Sequence, residues 1–185
     1  WQDNDWFPEV LNEQRLEDKD KRPDQYEWIW DGGFQVYSEG SYYSTELRRA
    51  KDEDRITKVR YDRGKGVITS WDLGIGDSTS VVFAQFIGAE IHIIDFYEAS
   101  GAGLEHYVKM LQDKGYVYDQ HVLPHDVRVR ELGSGKSRVE MLEELGIHNI
   151  EIAPQLLIDD GIQQVRTMLD KCYFDEVQCE KLIDS

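Results

Sequence analysis

The sequence predicts an α/β fold on a mixed sheet, with three antiparallel strands followed by alternating helices and strands in the order β-β-β-α-β-α-β-α. Three β-rich runs, at residues 67–72, 79–87 and 90–98, are separated by breaks short enough for antiparallel hairpins. Helix-like and strand-like segments then alternate between glycine and proline breaks. The 185 residues, with 40% apolar content, suffice for one good core, so one domain is the default.

The region before the sheet differs in composition from the rest. Residues 1–26 are polar and acidic without a sustained apolar period, which predicts a linker or loosely packed helix extending from an upstream domain. The missing initiator methionine also suggests a piece of a longer chain. From residue 27 the chain is aromatic and glycine-rich, which predicts short strands or turns and then a helix at about residues 45–52. We expect the folded domain to span residues 27–185.

The elements after the three-strand meander follow from periodicity and punctuation. A helix with apolar residues at helical spacing ends at Gly115, and a strand follows at residues 121–124. A second helix is opened by Ser137 and closed by Gly146, and a strand at 150–153 and a helix at 158–169 come next. Residues 172–183 have no clear type.

This order is typical of the ribonuclease-H-like fold. There the fourth strand pairs parallel with the first, because the intervening helix makes a right-handed crossover. A regular βαβαβ order would have indicated a doubly wound nucleotide-binding fold, and the opening meander contradicts it.

Two aspartates follow strands that this topology makes neighbours. Asp72 ends the run VITSWD, and Asp126 follows HVLPH. Carboxylates brought together at one sheet edge repel each other unless a cation binds between them. Two Mg²⁺ or Mn²⁺ ions roughly 3.5–4 Å apart would allow phosphodiester hydrolysis. We expect Asp72 and Asp126 as catalytic metal ligands, Asp72 bridging, although aspartate also simply terminates strands.

A third acid lies in the glycine-rich turn after Asp72. Asp77 could curl back as a further metal ligand or bind a metal-bound water, and its alternative role is to hydrogen-bond its own turn. Gly74 and Gly76 would let this turn bring the backbone close to ions or phosphate.

The charge distribution indicates two basic islands on an acidic body. The net charge of −16 argues against nucleic acid, but residues 47–66 carry eight basic and four acidic residues. A second island lies just beyond Asp126 and is predicted to bind the DNA backbone or to form an active-site flap. Its members are Arg128, Arg130, Lys136 and Arg138.

Several function classes are excluded or disfavoured. The segment GSGKS resembles the end of a P-loop, but the required first glycine falls at Arg130, so we expect no ATP site. Cys172 and Cys179 are too few for a disulfide framework or a zinc site and are predicted to be free thiols. No apolar run is long enough to cross a bilayer, so no membrane partner is expected.

Several segments, in order, resemble the C-terminal nuclease domain of the large terminase subunit of tailed bacteriophages. They are GSYYSTELRRAKDEDRITKV, VITSWDLGIGDSTSVVFAQ, GYVYDQHVLPHDVRVRELGSGKSRVEMLEELG and DDGIQQVRTML. The resemblance implies a ribonuclease-H-like endonuclease that cuts concatemeric double-stranded viral DNA during packaging, in a complex in the host cytoplasm that is not retained in the virion. It also implies an N-terminal ATPase domain of the same polypeptide, a portal and a small terminase subunit as partners.

The family's first two acidic ligands map onto Asp72 and Asp126. No later segment clearly matches the third, which either lies beyond Ser185 or is one of Asp159, Asp160 and Asp184. Two alternatives stay open: a related ribonuclease-H-like resolvase or ribonuclease H, and a non-catalytic docking module of the packaging motor.

Overall fold

The computed structural model describes residues 8–21, 26, 30, 42–74, 78–129 and 135–184. Helix α1 (Glu9–Lys21) lies in the predicted linker region, and helix α2 (Ser44–Asp52) lies where a helix was predicted. None of the described helices combines the length and the apolar character that crossing a membrane requires.

A seven-stranded mixed sheet forms the centre of the fold. Its strands are β1 (Ile56–Thr57), β2 (Val67–Asp72), β3 (Ser78–Ile87), β4 (Glu90–Ser100), β5 (Tyr118–Leu123), β6 (Ile150–Ile152) and β7 (Cys172–Asp175), in the spatial order β1-β7-β4-β3-β2-β5-β6. The β2–β3 and β3–β4 pairs are antiparallel, and β2 pairs parallel with β5. The predicted meander and the parallel pairing of its first strand with the fourth strand are both confirmed.

The connecting helices are α3 (Leu104–Lys114), α4 (Arg138–Glu144), α5 (Ile158–Leu169) and α6 (Glu180–Asp184), and a 3₁₀ turn spans His125–Arg128. Helix α3 ends at Gly115, which adopts the left-handed conformation with φ of 65°. Ser137 caps α4 in a capping box: its hydroxyl accepts from the Glu140 N–H, and its own N–H donates to the Glu140 carboxylate. Both helix boundaries agree with the prediction.

Two apolar cores lie on opposite faces of the sheet. Alternate residues of β2 and β3, including Val67, Trp71 and Phe83, pack with Tyr107 and Leu111 of α3. The other core contains side chains of β4 and β7 together with α2, α5 and α6, and includes the free cysteines Cys172 and Cys179. Burial raises the pKa of the two thiols, to about 11 and about 12 respectively, which keeps them protonated.

Two strands were not predicted. β1 has two residues and β7 has four, and β7 lies in the segment whose type was ambiguous. They pair with each other in parallel, Ile56 opposite Phe174, and β7 also pairs with β4. Because the paired residues lie 118 positions apart for β1 and β7 (56 and 174) and 81 positions apart for β4 and β7 (91 and 172), no local pattern in the sequence specifies the pairing.

Candidate metal and nucleic-acid site

The two predicted acids lie at the same edge of the sheet. Thr69 and Ser70 of β2 pair in parallel with His121 and Val122 of β5. Asp72 is the last residue of β2, two positions beyond Ser70, and β5 ends at Leu123. Both strands therefore end at the carboxyl edge of the sheet. The side chains of Asp72, at the end of β2, and Asp126, which follows β5, are both exposed.

Asp126 does not lie at a strand end. It is the second residue of the 3₁₀ turn His125–Arg128, after Pro124 has ended the strand. The completely buried side chain of Val127 anchors this turn, and the Val129 N–H donates to the Asp126 carbonyl at 3.1 Å. Asp126 and Arg128 are exposed on either side of Val127, whose burial holds the turn in place.

A buried polar network joins β2 and β5 close to the carboxyl ends of the two strands. The Trp71 indole N–H donates to the Thr69 hydroxyl at 2.8 Å, and that hydroxyl lies 2.7 Å from Nδ1 of His121. With the indole donating to it, the hydroxyl can give its own hydrogen to a neutral imidazole that accepts at Nδ1. Burial lowers the pKa of His121 to about 4, which favours that neutral form. This network fixes the register of β2 and β5.

A further acid shares the face of the sheet that carries Asp72. Asp72 lies opposite Ser80 of β3, and Ser80 lies opposite Glu98 of β4, so the three residues form one cross-strand row. The Glu98 carboxylate accepts from the Ser78 hydroxyl at 2.5 Å and forms an ion pair with Lys181. These contacts, with Lys181 contributing most, lower the pKa of Glu98. Sequence reasoning missed Glu98, although counting across the two hairpins would have found it.

The other third-ligand candidates lie on helices. Asp159 and Asp160 are exposed in the first turn of α5, which follows β6. Asp184 ends α6, the helix whose Lys181 contacts Glu98 at the carboxyl end of β4. Asp77 lies outside the described residues. Within the described part of the chain, no three His, Cys, Asp or Glu side chains come together as a metal-binding group.

The second basic island lies partly beside Asp72. Arg138 donates from Nη1 to the carbonyl of Leu73, the residue after Asp72, at 3.4 Å. Lys136 forms an ion pair with Glu144 at 2.6 Å. Both basic side chains line a cavity of about 710 Å³, which is also lined by Leu73 and by residues of helices α3 and α4. Arg130 lies outside the described residues.

The first basic island is divided between the interior and the surface. Arg55 is 5% exposed and donates to the carbonyls of Leu169 and Cys172, both at 2.8 Å, so it is part of the framework. Arg49 forms an ion pair with Asp170. Arg48 and Lys51 are exposed on α2, before β1. The other four exposed basic members lie between β1 and β2, before the start of β2, and thus at the edge of the sheet opposite Asp72.

Comparisons with known proteins identify the fold. No protein-family model matches the chain, and no curated protein matches it by sequence. Among solved structures, the large terminase of a thermophilic bacteriophage in complex with ATP-γ-S has a TM-score of 0.58 and 16% identity, over 98% of this chain and 45% of that chain. The P22 large terminase nuclease domain has a TM-score of 0.54 and 14% identity, over 71% of this chain and 73% of that chain.

A third structure is the large terminase nuclease of another thermophilic phage, G20c, with bound cobalt, with a TM-score of 0.50, 15% identity and 76% coverage of both chains. This chain spans only 35% to 45% of the length of the first phage's large terminase, across four of its crystal structures. At identities this low the likeness concerns the fold, which is the ribonuclease-H-like fold predicted from the order of the elements.

Proposed function

We propose that this chain, which has the fold of large terminase nuclease domains, is a divalent-metal-dependent endonuclease that cuts concatemeric double-stranded viral DNA during genome packaging. The observation that carries the proposal is the parallel pairing of β2 and β5, which brings Asp72 and Asp126 to one exposed sheet edge. In support, one nuclease domain of the same fold has been solved with bound cobalt.

The chemistry of the donors fits hard divalent cations. Carboxylate oxygens are the ligands that Mg²⁺ and Mn²⁺ prefer, and Asp72, Asp126 and Asp77 would hold them. Two such ions would supply an activated water nucleophile and charge stabilisation at the leaving oxygen. The protein contributes by positioning these ligands. The Thr69–His121 contact holds the register between β2, which ends in Asp72, and β5, which leads to Asp126.

The basic side chains would hold the substrate beside these acids. Arg138 reaches the backbone just after Asp72, and Arg128 shares the 3₁₀ turn with Asp126, so both could contact phosphates that flank the cleaved bond. With Lys136 and Arg130, they form the proposed DNA-binding set.

The comparison proteins support an ATPase domain as a partner of this domain. The large terminase of the first thermophilic phage has been solved with ADP and with ATP-γ-S, and this chain spans 44% and 45% of those chains. We propose that the domain acts with an ATPase domain of the same polypeptide, a portal and a small terminase subunit, in a packaging complex in the host cytoplasm.

Nicking of supercoiled plasmid in Mn²⁺ or Mg²⁺, with a chelator as control, tests the proposal. Asp72→Asn removes a charge but keeps the side chain's size, so we expect cleavage to fall by about 10³-fold or more, roughly 4 kcal/mol of transition-state stabilisation. Asp119→Asn is the matched control, because Asp119 is exposed on β5 near its opposite end. It should cut like the wild type.

Two results would contradict the proposal. If Asp72→Asn cuts as fast as the wild type, Asp72 is not a metal ligand. If the wild type binds duplex DNA but leaves the plasmid intact in both metals, the non-catalytic docking module is favoured instead.

A further inference from the structure

The segment that joins β1 to β2 carries four exposed cations within eight positions. We call residues 58–65 the basic loop; its cations are Lys58, Arg60, Arg63 and Lys65. None of the four forms an ion pair with any described residue, whereas Arg49, Lys114 and Lys181 each pair with a carboxylate. Acidic residues are abundant, with 37 in the chain, yet none of the described ones pairs with these four cations. They are not used to hold the fold together.

The backbone of the basic loop is held in place by hydrogen bonds to a buried side chain of β3. Gln85 of β3 is completely buried, and its amide forms three hydrogen bonds with the loop. Its Oε1 accepts from the Asp62 N–H at 2.9 Å, and its Nε2 donates to the carbonyls of Asp62 and Lys65 at 2.9 and 2.8 Å. A buried side chain thus fixes the loop backbone, which lowers the entropy that the loop would lose on binding a partner.

Two more contacts complete this support. The Tyr61 hydroxyl accepts from the Val117 N–H at 3.0 Å, and the Tyr61 ring packs on Tyr116 with centroids 4.8 Å apart. The carboxylate of Asp62, the only acid in the loop, accepts from the Gly64 N–H at 2.8 Å. The Asp62 carboxylate therefore bonds the backbone of its own loop.

The exposed surface of the loop has the character of a nucleic-acid contact. Val59 is buried and Tyr61 is half-buried, and the exposed positions hold only Lys, Arg, Asp and Gly. Protein interfaces have an apolar core with aromatic anchors, whereas DNA interfaces are polar and positively charged, with many contacts to phosphates. The absence of an exposed apolar side chain in this loop favours DNA over a protein partner.

The loop is separated from the acids by the length of β2. Val67 begins β2 and Asp72 ends it, five steps of about 3.3 Å and so about 17 Å. That length corresponds to about five base pairs at roughly 3.4 Å each. Resting on the proposed function, we propose that the basic loop is a second duplex-DNA backbone contact, which binds phosphates at a distance from the cleavage site.

Fluorescence anisotropy with a 30-base-pair duplex, in chelator and over a range of salt, tests this contact. The test variant changes the four loop cations to Gln. The control variant removes the same charge elsewhere, by changing the exposed residues Arg48, Lys51, Lys109 and Lys171 to Gln. Each phosphate contact contributes about 0.9 to the slope of log K against log salt, so the test variant should lose about 3 to 4 units of slope and the control less than about 1.

Three outcomes would overturn the inference. They are no duplex binding by the wild type at low salt, equal slopes for the test and control variants, and competition by poly-glutamate as effective as that by duplex of equal charge. The last would assign the loop to an acidic protein surface.

Failure of this inference is distinguishable from failure of the proposed nuclease function. Binding is measured in chelator, where no cleavage is required, and the loop variant should retain the wild-type rate of single-turnover cleavage at saturating DNA. A wild type that never cuts, but whose salt slope depends on the loop, refutes only the nuclease.

Discussion

Replacing Thr69 by Val tests the buried network that joins β2 and β5. Thr69 is completely buried, and its hydroxyl bonds both the Trp71 indole and the His121 imidazole. Val keeps the shape but leaves both partners without a hydrogen bond, at about 1–3 kcal/mol each. The added methyl group returns about 0.8 kcal/mol. We expect a net loss near 3 kcal/mol in the free energy of unfolding.

Thermal and urea unfolding measure this loss. For a domain of this size, about 3 kcal/mol corresponds to a Tm lower by roughly 6–12 °C. Thr69→Ser is the matched control, because Ser keeps the hydroxyl and loses only one buried methyl group, at about 1 kcal/mol. If the Val variant is as stable as the Ser variant, or more stable, the hydroxyl does not hold the two strands together and the reasoning fails.

Three other predictions concern metal, pH and DNA. Millimolar Mn²⁺ should raise the Tm of the wild type and not that of Asp72→Asn, because a ligand that binds only the folded state stabilises it; equal shifts in both would refute the site. The pKa of His121 is about 4 when folded and about 6.5 when unfolded, so its contribution to stability is full above pH 6.5 and is lost as the pH falls toward 4. The wild type should therefore lose about 1.5 kcal/mol more than His121→Asn between pH 6.5 and 5 in urea unfolding, and parallel curves would contradict the assignment. Changing Lys136 and Arg138 together to Gln should lower the salt slope of duplex binding by about 1 to 2 units, as the loss of one or two phosphate contacts would, and an unchanged slope in anisotropy would argue against this placement.

Local patterns in the sequence predicted the elements that position the candidate site. Runs of β-rich residues with short breaks gave the meander, and Ser137 and Gly115 marked helix ends, because capping and turn chemistry depend on neighbouring residues. The crossover rule then placed Asp72 and Asp126 at one edge. The 3₁₀ turn around Asp126 was not predicted, because a four-residue turn has no period of its own.

By itself the sequence determined the order of the elements, the parallel pairing beside the meander and the identity of the two edge acids. Only the tertiary structure decided what depends on register and long-range pairing. It placed Glu98 in the row of Asp72, added β1 and β7 to the sheet, and separated buried Arg55 of the first basic island from the exposed cations of α2 and of the basic loop. The physical reason is that periodicity fixes which face a side chain takes, whereas the partner across the sheet is fixed by packing between residues far apart in the chain.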